Sequence, residues 1–328
     1  MPSVALGKAE FARRVRRRFY DPAFKSVEQE IERIIEVAWD GYNDSRKAPR
    51  AKPAGKDHAD PSHRLSVEWS EASRAIKRAE RQQKSRSSKS RILLINGSAR
   101  SDQTCPGEMS KSFRLVKIAQ RVFARERDLE VELLDLSHLA SEYGRNIHPC
   151  KACVSTAMPL CHWPCSCYPN HSLGHHNDWM NEIYPMWVAA HGVMIVTPVN
   201  WYQVPGGLKA MIDRLVCADG GNPDSTSTGG KDARKAKDLE MKGWDYPRHL
   251  AGRAFSVVVH GDATGTETLR RLLVDYEPYA TSYDALDRDR AFQEETRNAA
   301  RALIAAVKLL RQRKLAQPGA RLCDVRPK

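Results

Sequence analysis

Five of the chain's eight cysteines fall within 18 residues of the stretch "HPCKACVSTAMPLCHWPCSCYPNHSLGHH": Cys150, Cys153, Cys161, Cys165 and Cys167, spaced C-x2-C-x7-C-x3-C-x-C. His162, His171, His175 and His176 lie nearby. Thiolates and imidazoles at this density suit a metal centre, either a [4Fe–4S] cluster or a structural zinc. The same thiols also read as small buried hydrophobes or as redox groups. Cys105, Cys217 and Cys323 stand apart and read as structural.

A second kind of chemistry is written in "RILLINGSARSDQTCPGEMSKSFRL", Arg91 to Leu115. An apolar strand ends in Gly97, Ser98, Arg100, Ser101 and Thr104, and Ser110, Lys111 and Ser112 then open a helix. The turn matches neither G-x-G-x-x-G nor G-x-x-x-x-G-K-[ST], which argues against a dinucleotide or nucleoside triphosphate site. Hydroxyls and backbone N–H groups at a helix start, with a cation beside them, suit a terminal phosphate monoester; the plain alternative is a polar strand-to-helix turn. In "TPVNWYQVPGGLKAMIDRL", Thr197 to Leu215, a buried strand ends in Thr-Pro and a Pro-Gly-Gly turn opens the next helix. Between them Asn200, Trp201 and Tyr202 read as the lining of a flat ring, with Gly206 and Gly207 allowing close backbone approach. No Ser-His-Asp or paired-carboxylate constellation is present, so no side chain is assigned a catalytic role.

The elements that must carry these residues alternate between strands and helices. Strands are expected at 91–96, 129–136, 192–199 and 254–262, with a short fifth at 279–286. Helices are expected at 110–125, 178–191, 206–216, 266–274 and 290–314. This pattern predicts an α/β fold: a flavodoxin-like doubly wound five-stranded parallel sheet with helices on both faces and its ligand at the carboxyl ends of the strands. Residues 1–90 read as a basic helical extension and linker, and 91–328 as the flavodoxin-like domain. In the extension, Ser26 and Gln29 form a capping-box pattern ahead of a helix that turns Val27, Ile31, Ile34, Ile35 and Ala38 to one side. A loop follows over 43–63, then a helix over 66–83 with Val67, Ala72, Ile76 and Ala79 inward, then a polar linker over 84–90.

The 328 residues carry a net charge of +13, and 21 basic against 13 acidic side chains in residues 1–90 hold 8 of it. A solvated helical arm explains that surplus; an arm that binds nucleic acid or a partner is the alternative, but no zinc-finger spacing or RNA-binding aromatic motif accompanies the charge. No run of about 18 apolar residues spans a membrane and the first 20 residues lack a secretory core, so a cytoplasmic protein is expected.

The strand leading into "GSARS", the segment "TPVNWYQVPGGLKAMIDRL" and a later strand ending in "HGDATG" together resemble the flavodoxin-fold NAD(P)H-dependent FMN reductases and quinone reductases, including the related iron–sulfur flavoproteins, over about residues 91–310. The resemblance implies that the first loop holds the FMN phosphate through Ser98, Arg100, Ser101, Thr104 and the Ser110–Lys111–Ser112 helix start. Because "SDQTCPGEM" lengthens this loop, Ser98 and Arg100 are its strongest candidates. It implies that Pro198, Val199, Asn200, Trp201 and Tyr202 contact the isoalloxazine, and that His260, Gly261, Asp262 and Gly265 flank its other edge. Trp163, Pro164 and Tyr168 would wall a substrate pocket over the flavin.

The implied activity is hydride transfer from NAD(P)H through FMN to a quinone, a flavin or another small acceptor, in a homodimer or homotetramer. Neither nucleic acid nor membrane is an implied partner. An iron–sulfur flavoprotein electron carrier using the Cys150–Cys167 segment is the alternative, with iron–sulfur ahead of zinc. A non-catalytic interaction protein acting through the basic extension is the third reading. The long connection 216–247 reads as a lid or as a surface insertion. As a lid it would bring Asp219, Gly220 and Gly221 to the flavin and its basic residues to the NAD(P)H phosphate.

Overall fold

The structure is a computed structural model that describes residues 6–44, 50–101, 110–168, 178–261 and 290–312. The chain opens with two helices, α1 (Lys8–Arg16) and α2 (Glu28–Asn43), which bury Phe11, Ala12, Val15, Ile31, Ile35 and Ala38 against each other. A hairpin of β1 (Ala51–Pro53) and β2 (Arg64–Ser66) follows, paired antiparallel. Then comes α3 (Val67–Lys84), where the Ser66 hydroxyl caps the helix by accepting from the Trp69 N–H.

Three expectations for this region are corrected. The region is not all-helical, because the hairpin occupies part of the stretch expected as loop. The capping box at Ser26 does not form. Asp21 and Pro22 start a 3-10 turn that runs to Val27, so Ser26 already lies inside a helical turn and its hydroxyl donates back to the Ala23 carbonyl. An N-cap needs an extended residue at that position. Val27 and Ile34, expected inward, face solvent. The basic side chains of α1 are paired: Arg13 and Arg14 with Glu10, Arg16 with Glu32, and Lys8 with Glu36.

The α/β unit comprises β3 (Ser90–Asn96), α4 (Lys111–Phe123), β4 (Leu129–Asp135), the single turn α5 (His138–Ser141), α6 (Met180–Ala189), β5 (Gly192–Pro198), α7 (Gly206–Arg214), α8 (Ala233–Lys242), β6 (Ala254–His260) and α9 (Arg290–Arg311). The four strands form one parallel sheet in the order β4-β3-β5-β6. This is the doubly wound order in which the chain reverses direction between β3 and β5. The fifth strand at 279–286 and the helix at 266–274 lie outside the described residues.

The runs of apolar residues in β3 and β5 are what strands covered on both faces require, whereas the edge strand β4 alternates Glu130 and Glu132 with apolar residues. Side chains alternate across the sheet. Leu93, Ile95 and Val193 pack with Met180, Ile183, Trp187 and Leu208 on one face, while Ile92, Leu94, Met194, Val196 and Val258 pack with α4 and α9 on the other. Ile76 and Ala79 of α3 belong to the first of these cores, and the Trp69 indole N–H donates to the Pro164 carbonyl at 2.8 Å. Residues before the expected break at 90 therefore pack into one of the two cores, α3 lying against α6. Among the described residues no helix is long and apolar enough to cross a membrane.

Candidate functional site

The register of β3, β5 and β6 brings three of the loops singled out in the sequence to one edge. Pro198 sits opposite His260, the Val199 N–H donates to the His260 carbonyl at 2.8 Å, and the Gly97 N–H donates to the Val196 carbonyl at 2.8 Å. Gly97 and Gly261 are small because the loops touch. A Cβ on Gly97 would stand 2.7 Å from Leu208 Cδ2 and 2.9 Å from Thr197 Oγ1, and one on Gly261 would stand 3.0 Å from Val199 Cβ. Thr104, Asp262 and Gly265 lie outside the described residues.

The first turn is braced from within. Asn96, fully buried, donates from Nδ2 to Asp135 Oδ1 at 2.8 Å and to the Arg100 carbonyl at 3.3 Å, while its Oδ1 accepts from the Ser98 N–H. The Ser98 hydroxyl accepts from the Arg100 N–H at 3.1 Å, and Asp135 also accepts from the Ser137 N–H. Ser98 and Ser101 are buried, whereas Arg100 is exposed. Ser110 caps α4 through the Phe113 N–H. The Ser137 hydroxyl, buried beside this bracket, has no hydrogen-bond partner. Hydroxyls, a helix start, Arg100 and Lys111 form a donor set that fits a phosphate monoester.

The second loop is a two-residue turn. Asn200 and Gln203 exchange N–H···O bonds of 2.8 and 3.0 Å, and Trp201 and Tyr202 between them have φ of 50° and 67°. Two positive φ values make it a type I′-like turn, where Asn-Gly is the usual pair. Bulky aromatics in that region are strained. Trp201 is nonetheless 93% exposed and Tyr202 55% exposed. In the third loop, His260 points inward: its Nε2 meets Ser112 Oγ at 2.7 Å, both side chains are buried, and burial with Lys111 nearby pushes its pKa down to about 4. This pair ties β6 to α4, so Ser112 and His260 are positioned to hold the loops together rather than to face a ligand. Gly207 makes its close approach to Leu139, not to a ring.

The cysteine segment is organised by buried polar groups. Asp178 accepts from both Nη atoms of Arg214, a fully buried pair, and Arg214 also donates to the His148 carbonyl at 2.9 Å. The guanidinium lies 5.1 Å from the Tyr168 ring centre, and that tyrosine stacks on His148. Trp163 is core, donating to His249 Nδ1, and Pro164 is buried too, so neither walls an open pocket. His162 has both ring nitrogens engaged, with Ser166 and Thr228 hydroxyls, and burial pushes its pKa down to about 3.

Cys153 Sγ and Cys167 Sγ are 3.3 Å apart, with Lys231 Nζ 3.7 and 3.6 Å from them. Cys167 also hydrogen-bonds Cys165. The Cys167 contact and the Lys231 charge pull Cys153 down to about 5, against its burial. Cys167, which keeps its proton between Cys153 and Cys165, is raised. Cys150 is exposed and raised by desolvation. Cys161 packs in the same core as buried Cys217, which the sequence reading had set apart and which donates to the Arg214 carbonyl at 3.1 Å.

All six of these thiols are free, and among the described residues no three His, Cys, Asp or Glu groups converge on one ion position. Tetrahedral zinc holds its sulfurs about 3.8 Å apart, and each iron of a [4Fe–4S] cluster takes its own thiolate. The Cys153–Cys167 contact is closer than either, so the expected ligand set of Cys150, Cys153, Cys161, Cys165 and Cys167 does not fit a preformed centre. His171, His175 and His176 lie outside the described residues.

Residues 90–237 match the family model for NADPH-dependent FMN reductases. An iron–sulfur flavoprotein from Methanosarcina thermophila is 30% identical over 126 residues, 38% of this chain, and the chain spans about half (52%) of that relative's length. Among solved structures, an apo NADH:FMN oxidoreductase aligns at 16% identity over 70% of this chain and 92% of its own, with a TM-score of 0.36. An FMN-dependent NADH-azoreductase from Bacillus anthracis str. Ames Ancestor, in complex with FMN, aligns at 16% identity over 65% and 99%, with a TM-score of 0.39.

The structure holds two features that the sequence reading missed. One is the Asn96–Asp135 bracket, which joins the ends of β3 and β4 and has no signal local to either residue. The other is the long connection 216–247, which is neither a lid nor a loose insertion. It contains α8, and the N-terminal region grips it: Asp224 accepts from the His58 ring and the Ala59 N–H, and the Thr226 hydroxyl accepts from the Asp60 N–H. Gly221 packs on the Cys161 and Cys217 backbone, and Lys231 faces thiols. Neither reaches toward the three loops.

Proposed function

We propose that the chain is an FMN-dependent oxidoreductase that draws electrons from NAD(P)H and passes them to a small acceptor such as a quinone or a flavin. One observation carries this reading: two exposed aromatics held at positive φ at the carboxyl end of β5, between a phosphate-suited turn and the β6 loop. Strain of this kind persists where a ligand uses it. The match of residues 90–237 to the family model for NADPH-dependent FMN reductases supports the same reading.

Ser98, Arg100, Ser101, Ser110 and Lys111 would hold the phosphate, and Pro198, Val199, Asn200, Trp201 and Tyr202 would hold the ring. Bound FMN supplies the hydride-accepting chemistry. The chain's own part is to bind and orient: cations neutralise the phosphate, the Asn200–Gln203 turn fixes the aromatic faces, and the Ser112–His260 contact fixes the spacing of the loops. Assembly as a homo-oligomer, with Trp201 near the interface, belongs to the same proposal. An iron–sulfur electron carrier is not favoured, given the thiol contacts. A basic-arm binding protein is not favoured either, because glutamates already pair with much of α1.

The test is FMN titration by fluorescence quenching, followed by NAD(P)H oxidation with a benzoquinone acceptor. Stoichiometric FMN binding and FMN-dependent turnover are expected. A protein that leaves FMN fluorescence unchanged overturns the proposal.

A further inference from the structure

The thiol group is built for a chemistry separate from the FMN loops. Cys153 and Cys167 lie on different segments, yet their sulfurs touch at 3.3 Å and both are partly accessible. A disulfide needs about 2.05 Å between the sulfurs, so the pair stands only about 1.3 Å beyond bonding distance. Lys231 faces both sulfurs and is anchored by donating to the Leu160 carbonyl at 2.6 Å. Its loop is in turn gripped at Asp224 and Thr226 by residues 58–60. A fixed cation in front of two contacting thiols is the setting in which thiols exchange with disulfides.

We propose that Cys153 and Cys167 form a redox-active dithiol that exchanges with low-molecular-weight disulfides, with Lys231 as the cation that positions and activates it. In the reaction, the Cys153 sulfur attacks one sulfur of the small disulfide, forming a mixed disulfide and expelling one thiolate. The Cys167 sulfur then attacks Cys153 Sγ, breaking the mixed bond and expelling the second thiolate. The cysteine pair loses two electrons and two protons, and the small disulfide becomes two thiols. Lys231 keeps its proton throughout.

The experiment uses the full chain, reduced, desalted under nitrogen and equilibrated in buffers of varied reduced-to-oxidised glutathione ratio. Free thiols are tagged with maleimide and the peptides are mapped by mass spectrometry. Two tags should be lost in a single step, with the disulfide joining Cys153 to Cys167. Cys153→Ser and Cys167→Ser should each abolish the step, and Cys150→Ser should leave it intact. Lys231→Met should slow attack on oxidised glutathione roughly fivefold or more. Retention of both tags in the most oxidising buffer overturns the proposal, as does a disulfide between another pair. Stoichiometric iron or zinc that shields these thiols until a chelator is added also overturns it. None of these readouts depends on FMN.

Discussion

Trp201→Gly separates what the β5 turn costs from what it does. Holding a bulky residue in the left-handed region costs about 1–2 kcal/mol, and glycine removes that cost. Trp201 is 93% exposed, so its removal forfeits almost no burial. Glycine gives back part of the gain through the greater freedom of the unfolded chain, leaving a net stabilisation of about 1 kcal/mol. Urea unfolding of the FMN-free protein should show the midpoint moving up with an unchanged slope. FMN titration should move the other way. An aromatic contact is worth about 0.5–1.5 kcal/mol, so affinity should fall by roughly three- to tenfold. If the variant is less stable than the parent, the turn is not strained. If FMN affinity is unchanged, Trp201 is not part of the ring site.

Other expectations follow from the packing. Asp178→Ala leaves Arg214 buried without its partner and should cost about 3–5 kcal/mol in urea unfolding; a loss under about 1 kcal/mol would refute the buried-pair account. His260 is held neutral, with its folded pKa depressed to about 4, so the unfolded chain binds its proton first as pH falls. Its stabilisation is complete above about pH 6.5, declines as pH drops from there to about 4, and amounts to about 3 kcal/mol over that window. His260→Gln should flatten that part of the pH–stability curve, and an unchanged curve would count against the assignment. Gly97→Ala drives a methyl into Leu208 and Thr197 and should lower stability by about 1–3 kcal/mol while weakening FMN binding, both measurable in the same titrations.

The sheet was legible because each buried strand is a run of Ile, Leu and Val, and each covering helix repeats its apolar residues at helical spacing. The turn after β5 was legible for a similar reason: Thr-Pro and Pro-Gly-Gly punctuate a short segment between β5 and α7. What stayed hidden depends on partners distant in sequence. Nothing near Asn96 announces Asp135, and nothing near Lys231 announces Cys153 and Cys167. Cys217 looked solitary because Cys161 lies far from it along the chain. The capping box at Ser26 failed through local competition, since Asp21-Pro22 starts a turn first and leaves no extended residue for a cap.

The last helix bears on where this chain can be cut. Arg311 donates to the carbonyls of Ser85 and Ser88, and the Gln83 carbonyl receives the His191 Nε2–H, since Nδ1 accepts from Arg91. The stretch at 84–90, expected as a polar linker, is thus stitched to the final helix and to the residue preceding β5. A fragment begun at residue 90, where the family match begins, would lose Ile76 and Ala79 from one of the two cores, lose the Trp69 bond to the Pro164 carbonyl, and strand the Arg311 guanidinium without its carbonyl acceptors. The unit of inheritance marked by the family match is smaller than the unit that must fold.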